Sequence, residues 1–349
     1  MDYPGEKLLG KMWDTLVDKG VGKLVQPWQT RREGRAQADV TLFLAQAEKD
    51  ANDIRAGKKV LSGAGSTVRL IEASANALPA IEMGDGRKEP SLNLEFVVQS
   101  ATSAQVAQVV REEVNVARAV LHAQAILAED SCPPPEATVD EDWLYRWREE
   151  AARVSSEKMQ SLWGRVLAGE VRSPGSFSLR TLDFLKNLSQ EEAQQIETFS
   201  RYVYDGGVVP RYGVVEDMRE KGRDVRLLLS MEELGLVLGT TGTGLTWTLP
   251  SIEEDCFRLT LAGGNKGLLV QNADASKQLA LRIFRATALG TEVFSLANQN
   301  VDDAHFMSIA DACHKQGFSV GMFDVVNDPE SDEGYILENV VPLFESLNG

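Results

Sequence analysis

DEDWLYRWREEAARVSSEKMQSLWGRVLAGEVRSPGSFSLRTLDFLKNLSQEEAQQIETF, residues 140–199, is the most legible stretch of the chain. Trp143, Leu144 and Trp147 recur at helical spacing, as do Met159, Leu162, Trp163, Val166 and Leu167. The spacing predicts a helix over Asp140–Val154 and a second over Ser156–Val171. Ser173-Pro174-Gly175 reads as a turn. A short helix follows over Phe177–Leu188. Ser189 with Glu192 forms a capping box that opens a helix running to about Tyr204. This is a compact all-helical block, expected over 136–205, with Trp143, Trp163, Leu167, Phe177 and Arg180 as its structural motif. Gly169 is expected to let helices approach closely. Ser176, Ser178, Arg180 and Thr181 stand at a helix start, where free N–H groups can hold an anion or serines can cap. Arg180 is expected to pair with an acid such as Glu170.

Upstream, Cys132-Pro133-Pro134-Pro135 ends a long helix over Ser103–Glu129, which has no Gly or Pro. The proline run is the expected domain boundary, closing a connector over 60–131. Residues 60–100 carry turn chemistry at SGAGS (62–66) and MGDGRKEP (83–90), and LNLEFVV (92–98) reads as a strand or a helix start. A polar, alanine-rich helix is expected over 29–59. Before it, Leu9, Met12, Trp13, Leu16, Val17, Val21, Leu24 and Trp28 form an apolar stripe at helical spacing over Glu6–Trp28. Gly10, Gly20 and Gly22 loosen that helix, because each costs about 1 kcal/mol against Ala. Pro27 breaks or kinks it. A tryptophan-bearing stripe edged by lysines suits a membrane interface. It equally suits burial on the 103–129 helix or on a neighbouring subunit.

Downstream of Gly206-Gly207 the pattern changes. MEELGLV (231–237) reads as a helix ending in a turn. GTTGTGLTWTLP (239–250), FRLTLAG (257–263), KGLLVQNAD (266–274) and LALRIFRAT (279–287) read as strands. A helix over Asp302–Gln316 and a closing strand over 318–326 complete an α+β, winged-helix-like domain over 206–349, with an acidic tail ordered through Leu337, Val340 and Phe344. The fold class is therefore mainly α-helical with a smaller C-terminal α+β domain.

Composition narrows function. Forty-three per cent hydrophobic and 25% charged residues fit a globular chain. Three separated cysteines exclude a disulfide framework and point to a reducing, cytoplasmic compartment. The start lacks an uninterrupted apolar leader, and no run reaches spanning length. The net charge of -16 disfavours nucleic acid. Residues 1–35 stand apart, with seven Lys/Arg against five acids. Residues 231–274 carry Arg258 and Lys266 against six acids, which argues for a protein partner rather than DNA.

Sites for chemistry are not assembled. His305 and His314 lie nine residues apart, two and a half helical turns, so their rings diverge. Cys313, adjacent to His314, diverges likewise, and neither a metal set nor a Cys–His nucleophile follows. SGAGS lacks the lysine of a phosphate loop. Acid pairs such as Glu112-Glu113 read as solvated surface. No catalytic residue, cofactor or metal is expected.

Two stretches resemble a known family. Pro27-Trp28 followed by Arg31-Arg32-Glu33, and the block carrying Asp142, Trp143, Ser156, Met159, Gln160, Leu162, Trp163, Leu167–Glu170, Pro174–Ser178 and Arg180–Leu182, are similar to the bacterial family called domain of unknown function 2806. The likeness is dense over about sixty residues and thin beyond 205. It implies a non-enzymatic helical protein, since the family has no established activity. Similar proteins with the LWxxxLAGE block occur among abortive-infection and phage-defence genes. A fainter likeness is to ring-activated immunity proteins, which oligomerise on a phage protein before damaging the membrane. The resemblance thus implies an antiphage protein that recognises a protein partner, forms a homo-oligomer when active, and becomes membrane-associated through its N-terminal stripe. The alternative is a winged-helix-like regulator or adaptor without membrane activity.

Overall fold

The computed structural model describes residues 4–21, 34–62, 69–72, 80–82, 88–90, 94–212, 214, 226–240, 245–251, 253–297, 303–327 and 335–344. The chain is a mixed α+β protein that folds as two compact units, Met1–Gly175 and Ser176–Gly349.

The first unit is organised on one long helix. Its elements are α1 (Glu6–Asp18), α2 (Gly34–Arg55), strands β1 (Lys59–Ser62), β2 (Arg69–Glu72), β3 (Ala80–Glu82) and β4 (Lys88–Pro90), then α3 (Leu94–Ala128), α4 (Glu141–Ala152) and α5 (Glu157–Arg172). At 1.5 Å per residue α3 is roughly 50 Å long. It starts nine residues before the expected Ser103, so LNLEFVV enters a helix rather than a strand. The buried face of α3 is lined by small residues, Ala107, Ala117, Ala119 and Ala123, alternating with Val114, Val116 and Val120. Small side chains let neighbours come close, and α1, α2, α4 and α5 all pack on this helix. The nearest approach is made by Gly164 of α5, not by Gly169. A Cβ at 164 would lie 2.5 Å from His122 Cβ and 2.8 Å from the Ala119 carbonyl oxygen.

Helix α2 stops at Arg55, short of the expected Lys59. Gly57 takes φ +68, and Lys58 N–H reaches back 2.9 Å to the Asp53 carbonyl. This is the left-handed cap that glycine makes cheap. The chain then enters β1, which pairs antiparallel with β2, while β3 pairs with β4. Most of SGAGS, and residues 83–87 of MGDGRKEP, lie outside the described residues.

The proline run at 133–135 sits within this first unit, between α3 and α4. The division falls instead at Gly175, inside the block expected over 136–205. The reason is packing: α5 rests on α3, whereas α6 and α7 rest on elements of the second unit.

That second unit holds α6 (Leu179–Lys186), α7 (Gln190–Ser200), β5 (Val208–Pro210), α8 (Arg226–Glu233), β6 (Val237–Leu238), β7 (Leu245–Leu249), β8 (Phe257–Gly263), β9 (Lys266–Asn272), β10 (Leu279–Ala286), α9 (Ala288–Ser295), α10 (Asp303–His314), β11 (Ser319–Asn327) and β12 (Tyr335–Pro342). The strands form two antiparallel sheets. In one the order is β5–β10–β6, with β7 continuing the β6 edge along β10. In the other it is β12–β11–β9–β8. Gly264 and Asn265 join β8 to β9 in a two-residue hairpin, Gly264 at φ +66. The strand expected to close the fold, β11, is followed by another: the acidic tail supplies β12.

Two cores serve these sheets. Phe199, Tyr202, Met231, Val237, Phe284 and Phe294 gather beneath β5, β6 and β10. Leu259, Leu268, Leu281, Phe306, Ile309 and Phe318 gather between the larger sheet and α10. No helix of the described residues is long and apolar enough to cross a membrane.

Candidate interaction surfaces

In the first unit the conserved-looking chemistry of the 140–172 stretch is spent on holding helices together. Trp147 and Trp163 are fully buried, and Trp143 and Leu167 nearly so. The Trp147 indole N–H donates to the Trp163 carbonyl at 2.9 Å. Below them lies a buried amide pair. Asn115 Nδ2 donates to the Ala152 carbonyl at 2.7 Å, and Gln160 Nε2 is shared between Asn115 Oδ1 and the Val154 carbonyl. These bonds stop the α4–α5 connection from fraying, because main-chain carbonyls buried without a donor are costly. Arg148 of α4 pairs with Glu113 of α3.

The PGSFSLRT turn divides its work between the units. Glu170, almost fully buried, accepts the Gly175 N–H at 2.6 Å and so closes the turn. Its expected partner Arg180 is exposed at the start of α6, in the other unit. Phe177 is buried. Ser178 caps α6 by accepting from Thr181 N–H. The anion expected at this helix start is a carboxylate of the chain itself: Glu292 from α9 accepts the Ser178 N–H at 2.7 Å and the Thr181 hydroxyl. A helix N-terminus favours negative charge, and here a residue more than a hundred positions away supplies it.

The N-terminal stripe is docked. Leu8, Leu9, Met12, Trp13, Leu16 and Val21 are buried, Val17 half-buried, and α1 packs on α3 and α5. Gly5 donates to the Ala128 carbonyl at the end of α3, so closely that a Cβ there would overlap the Leu127 carbonyl. The lysine edge is engaged as well. Lys11 donates to the Pro135 and Ala137 carbonyls, and Lys19 pairs with Glu141 at 2.6 Å. That hydrogen bond pulls the Glu141 carboxyl below its ordinary range, with Tyr145 adding to it. The helix ends at Asp18 instead of continuing to Trp28. Gly20, at φ +67, serves as its left-handed cap, and Val21 N–H bonds back to Leu16. Gly20 terminates this helix rather than loosening it. Leu24, Pro27 and Trp28 lie outside the described residues.

On α10 the two histidines do diverge. His305 is buried between the Tyr202 and Tyr204 rings. Its Nε2 stands 3.2 Å from the Pro210 carbonyl, which can only accept, so Nε2 carries the proton. The Tyr204 hydroxyl faces Nδ1 at 3.3 Å. His314 instead stacks on Phe344, ring centroids 4.4 Å apart. It borders a hollow of about 670 Å³ with Leu269, Gln271, Ser319 and Val340. Cys313 is buried, and desolvation pushes its thiol up to about 12, which leaves it protonated and un-nucleophilic. Among the described residues no three His, Cys, Asp or Glu side chains are grouped to hold a metal ion.

Exposed apolar groups mark a different surface. Leu229 of α8, Leu238 of β6 and Leu245 of β7 are each over two-fifths exposed. Leu245 lies against the Gly239 backbone, which brings Leu238 and Leu245 to one end of the β6–β7 edge. Sequence reasoning did not single out these three. The signal was present only as leucines breaking an otherwise polar face of a short helix and a short strand.

Residues 99–249, from within α3 to the end of β7, match the model of a family described as Protein of unknown function (DUF2806). The matched span contains the whole 140–199 block. No curated protein and no solved structure matches the chain.

Proposed function

We propose that the chain is a regulator or adaptor that recognises a protein partner through a winged-helix-like module in its second unit. The observation that carries this reading is the strand order β5–β10–β6, served by α7 and α8 over a core of its own. The first strand after α7 pairs with the last, and the strand that follows α8 lies on the far side. The β7–β9 segment is inserted between the two strands that close such a sheet. In helix-turn-helix modules the helix at the position of α8 presents the recognition face. Here that face offers Leu229 between Arg226 and Glu233, beside Leu238 and Leu245. DNA readers are basic at this place, whereas residues 231–274 are net acidic. Apolar groups framed by acids suit a protein partner with basic flanks. The test is co-purification from the native host with the full chain, beside a mixed-sequence DNA duplex in a mobility-shift assay. A partner retained by the parent and by Val98→Asp, but lost by Leu229→Asp and Leu238→Asp, supports the reading. Salt-sensitive DNA binding, or a partner indifferent to the leucine changes, refutes it.

A second reading is favoured by the docking of α1. In it the chain is an antiphage protein in which partner recognition and oligomerisation release α1 to disrupt the membrane. A tryptophan-bearing amphipathic helix held at its lysine edge by a few polar contacts is a suitable stored effector. Energetics set a condition. Burial of each large apolar side chain contributes about 1.5–3 kcal/mol. Five of them give roughly 8–15 kcal/mol, as much as a whole domain's net stability. Release therefore requires a partner or an assembly that compensates. The test is dye release from anionic vesicles together with phage survival, using Leu16→Glu protein verified as folded. If that variant still protects cells and still leaks dye, α1 is scaffolding.

A further inference from the structure

We propose that β12 is a self-association edge, through which two copies of this chain pair antiparallel about a twofold axis between Glu338 and Asn339. This stands independently of the reading of α8. In its sheet the two edges differ sharply. On β8 the residues Phe257, Leu259, Leu261 and Ala262 are buried, so that edge is covered. On β12 residues 336–342 are exposed or half-exposed, with Ile336, Val340 and Val341 each at least two-fifths accessible. Val326, paired with Ile336 on β11, extends the same exposed apolar strip. Among the described residues no strand lies beyond β12, so its outer row of N–H and C=O groups is a template for another strand.

The sequence of the edge selects the occupant. Reading outward from the 338/339 midpoint gives Glu then Leu337 and Ile336 in one direction, and Asn then Val340 and Val341 in the other. A twofold antiparallel pairing therefore sets Ile336 against the partner copy's Val341 and Leu337 against its Val340. Glu338 falls against an uncharged Asn339. A closed symmetric interface requires this reciprocity, and apolar cross-strand pairs stabilise it. Centring the axis on 338 would instead oppose two carboxylates. The edge also carries a guard. Asn339 takes φ +52, the register with β11 shifts between Met322 and Asp324, and the Asn339 amide bonds to Asp324. The ladder is thus interrupted at the axis, and the contact consists of two short symmetric halves, which makes it weak and reversible rather than fibrous.

Charge supplies a signature. Each copy carries -16, so two copies repel at long range while the paired strands contribute only Glu338. Screening by salt must tighten the dimer, whereas a basic partner on an acidic surface would bind more weakly in salt. The experiment is sedimentation equilibrium of the full chain over a concentration series at low and high salt. The expected result is a monomer–dimer equilibrium favoured by salt. Ile336→Lys and Val341→Lys, at exposed positions, should each raise the dissociation constant about tenfold or more, the equivalent of about 1.4 kcal/mol. Val98→Lys, an exposed apolar position in the first unit, should not. In a second measurement, Glu338→Cys chains mixed with Asn339→Cys chains should cross-link on oxidation in preference to either alone. A monomer at every concentration and salt, a dimer indifferent to both lysine changes, or no preferential cross-link overturns the proposal.

Discussion

One substitution made at two glycines should act in opposite directions. Gly164 sits in the interior of α5, where alanine is intrinsically better by about 0.5–1 kcal/mol. A methyl at 164 meets His122 Cβ at 2.5 Å, the Ala119 carbonyl oxygen at 2.8 Å and the Ala123 nitrogen at 3.1 Å. Carbon atoms in contact normally stand about 3.5–4.0 Å apart, so α5 and α3 must separate by something near an ångström. Two of the three neighbours are backbone and cannot swing aside. Overpacking of this kind costs about 1–3 kcal/mol, and the upper half of that range applies. After the propensity gain, Gly164→Ala should destabilise the first unit by about 1–2 kcal/mol. Gly10 of α1 has nothing within 4 Å of the same added carbon. Gly10→Ala should therefore stabilise by about 0.5–1 kcal/mol. For a unit of this size each kcal/mol moves the melting temperature by roughly 2–4 °C. Calorimetry should show a loss of roughly 2–8 °C for Gly164→Ala and a small gain for Gly10→Ala. If both variants gained, the close α3–α5 approach would be refuted, and with it the account of why the block carries glycine at 164.

Trp163→Ala should cost about 3–5 kcal/mol, the usual penalty for emptying a buried aromatic site; an unmoved denaturation midpoint would remove Trp163 from the core. Glu292→Ala should cost about 1–3 kcal/mol by stripping the Ser178 N–H and Thr181 hydroxyl of their acceptor, read by urea unfolding of the full chain. The Lys19–Glu141 pair lowers the folded-state carboxyl of Glu141, so its contribution is present at neutral pH and lost as pH falls through that lowered range. Amide exchange in α1 should thus be faster in Glu141→Gln than in the parent at neutral pH, and the difference should vanish in acid. Purified protein should show neither nucleotide hydrolysis nor nuclease activity; metal-dependent turnover abolished by changing His305 or His314 would contradict this.

Local signals in the sequence were reliable where the physics is local. The Ser189–Glu192 capping box is formed as read, and the strands at 257–263, 266–272 and 279–286 fall where alternation placed them. Gly20 was misread because a glycine within a helical period looks the same whether it loosens the helix or caps it; only its φ decides. The first turns of α3 carry Val97, Val98 and Thr102, which favour strands, so the start of that helix was set nine residues late. β12 escaped because the bulge at Asn339 destroys the alternation that announces a strand. Gly164 and Gly169 are indistinguishable until α3 is seen to lie against one of them. The engagement of Glu292 with Ser178 spans more than a hundred residues, and no spacing rule reaches that far.

The burial of Cys313 turns the second unit into its own stopwatch. A thiol with no access to water and no tendency to ionise reacts with an alkylating reagent only when α10 lifts from the sheet beneath it. The labelling rate at that sulfur therefore counts opening events in a molecule that carries no added probe. Cys132 offers the same count for the first unit, though from a shallower position, since its thiol is raised chiefly by a hydrogen bond to Asp130 rather than by burial. The two clocks tick in different units, so a ligand that closes one and leaves the other running would reveal which half of the chain it touches.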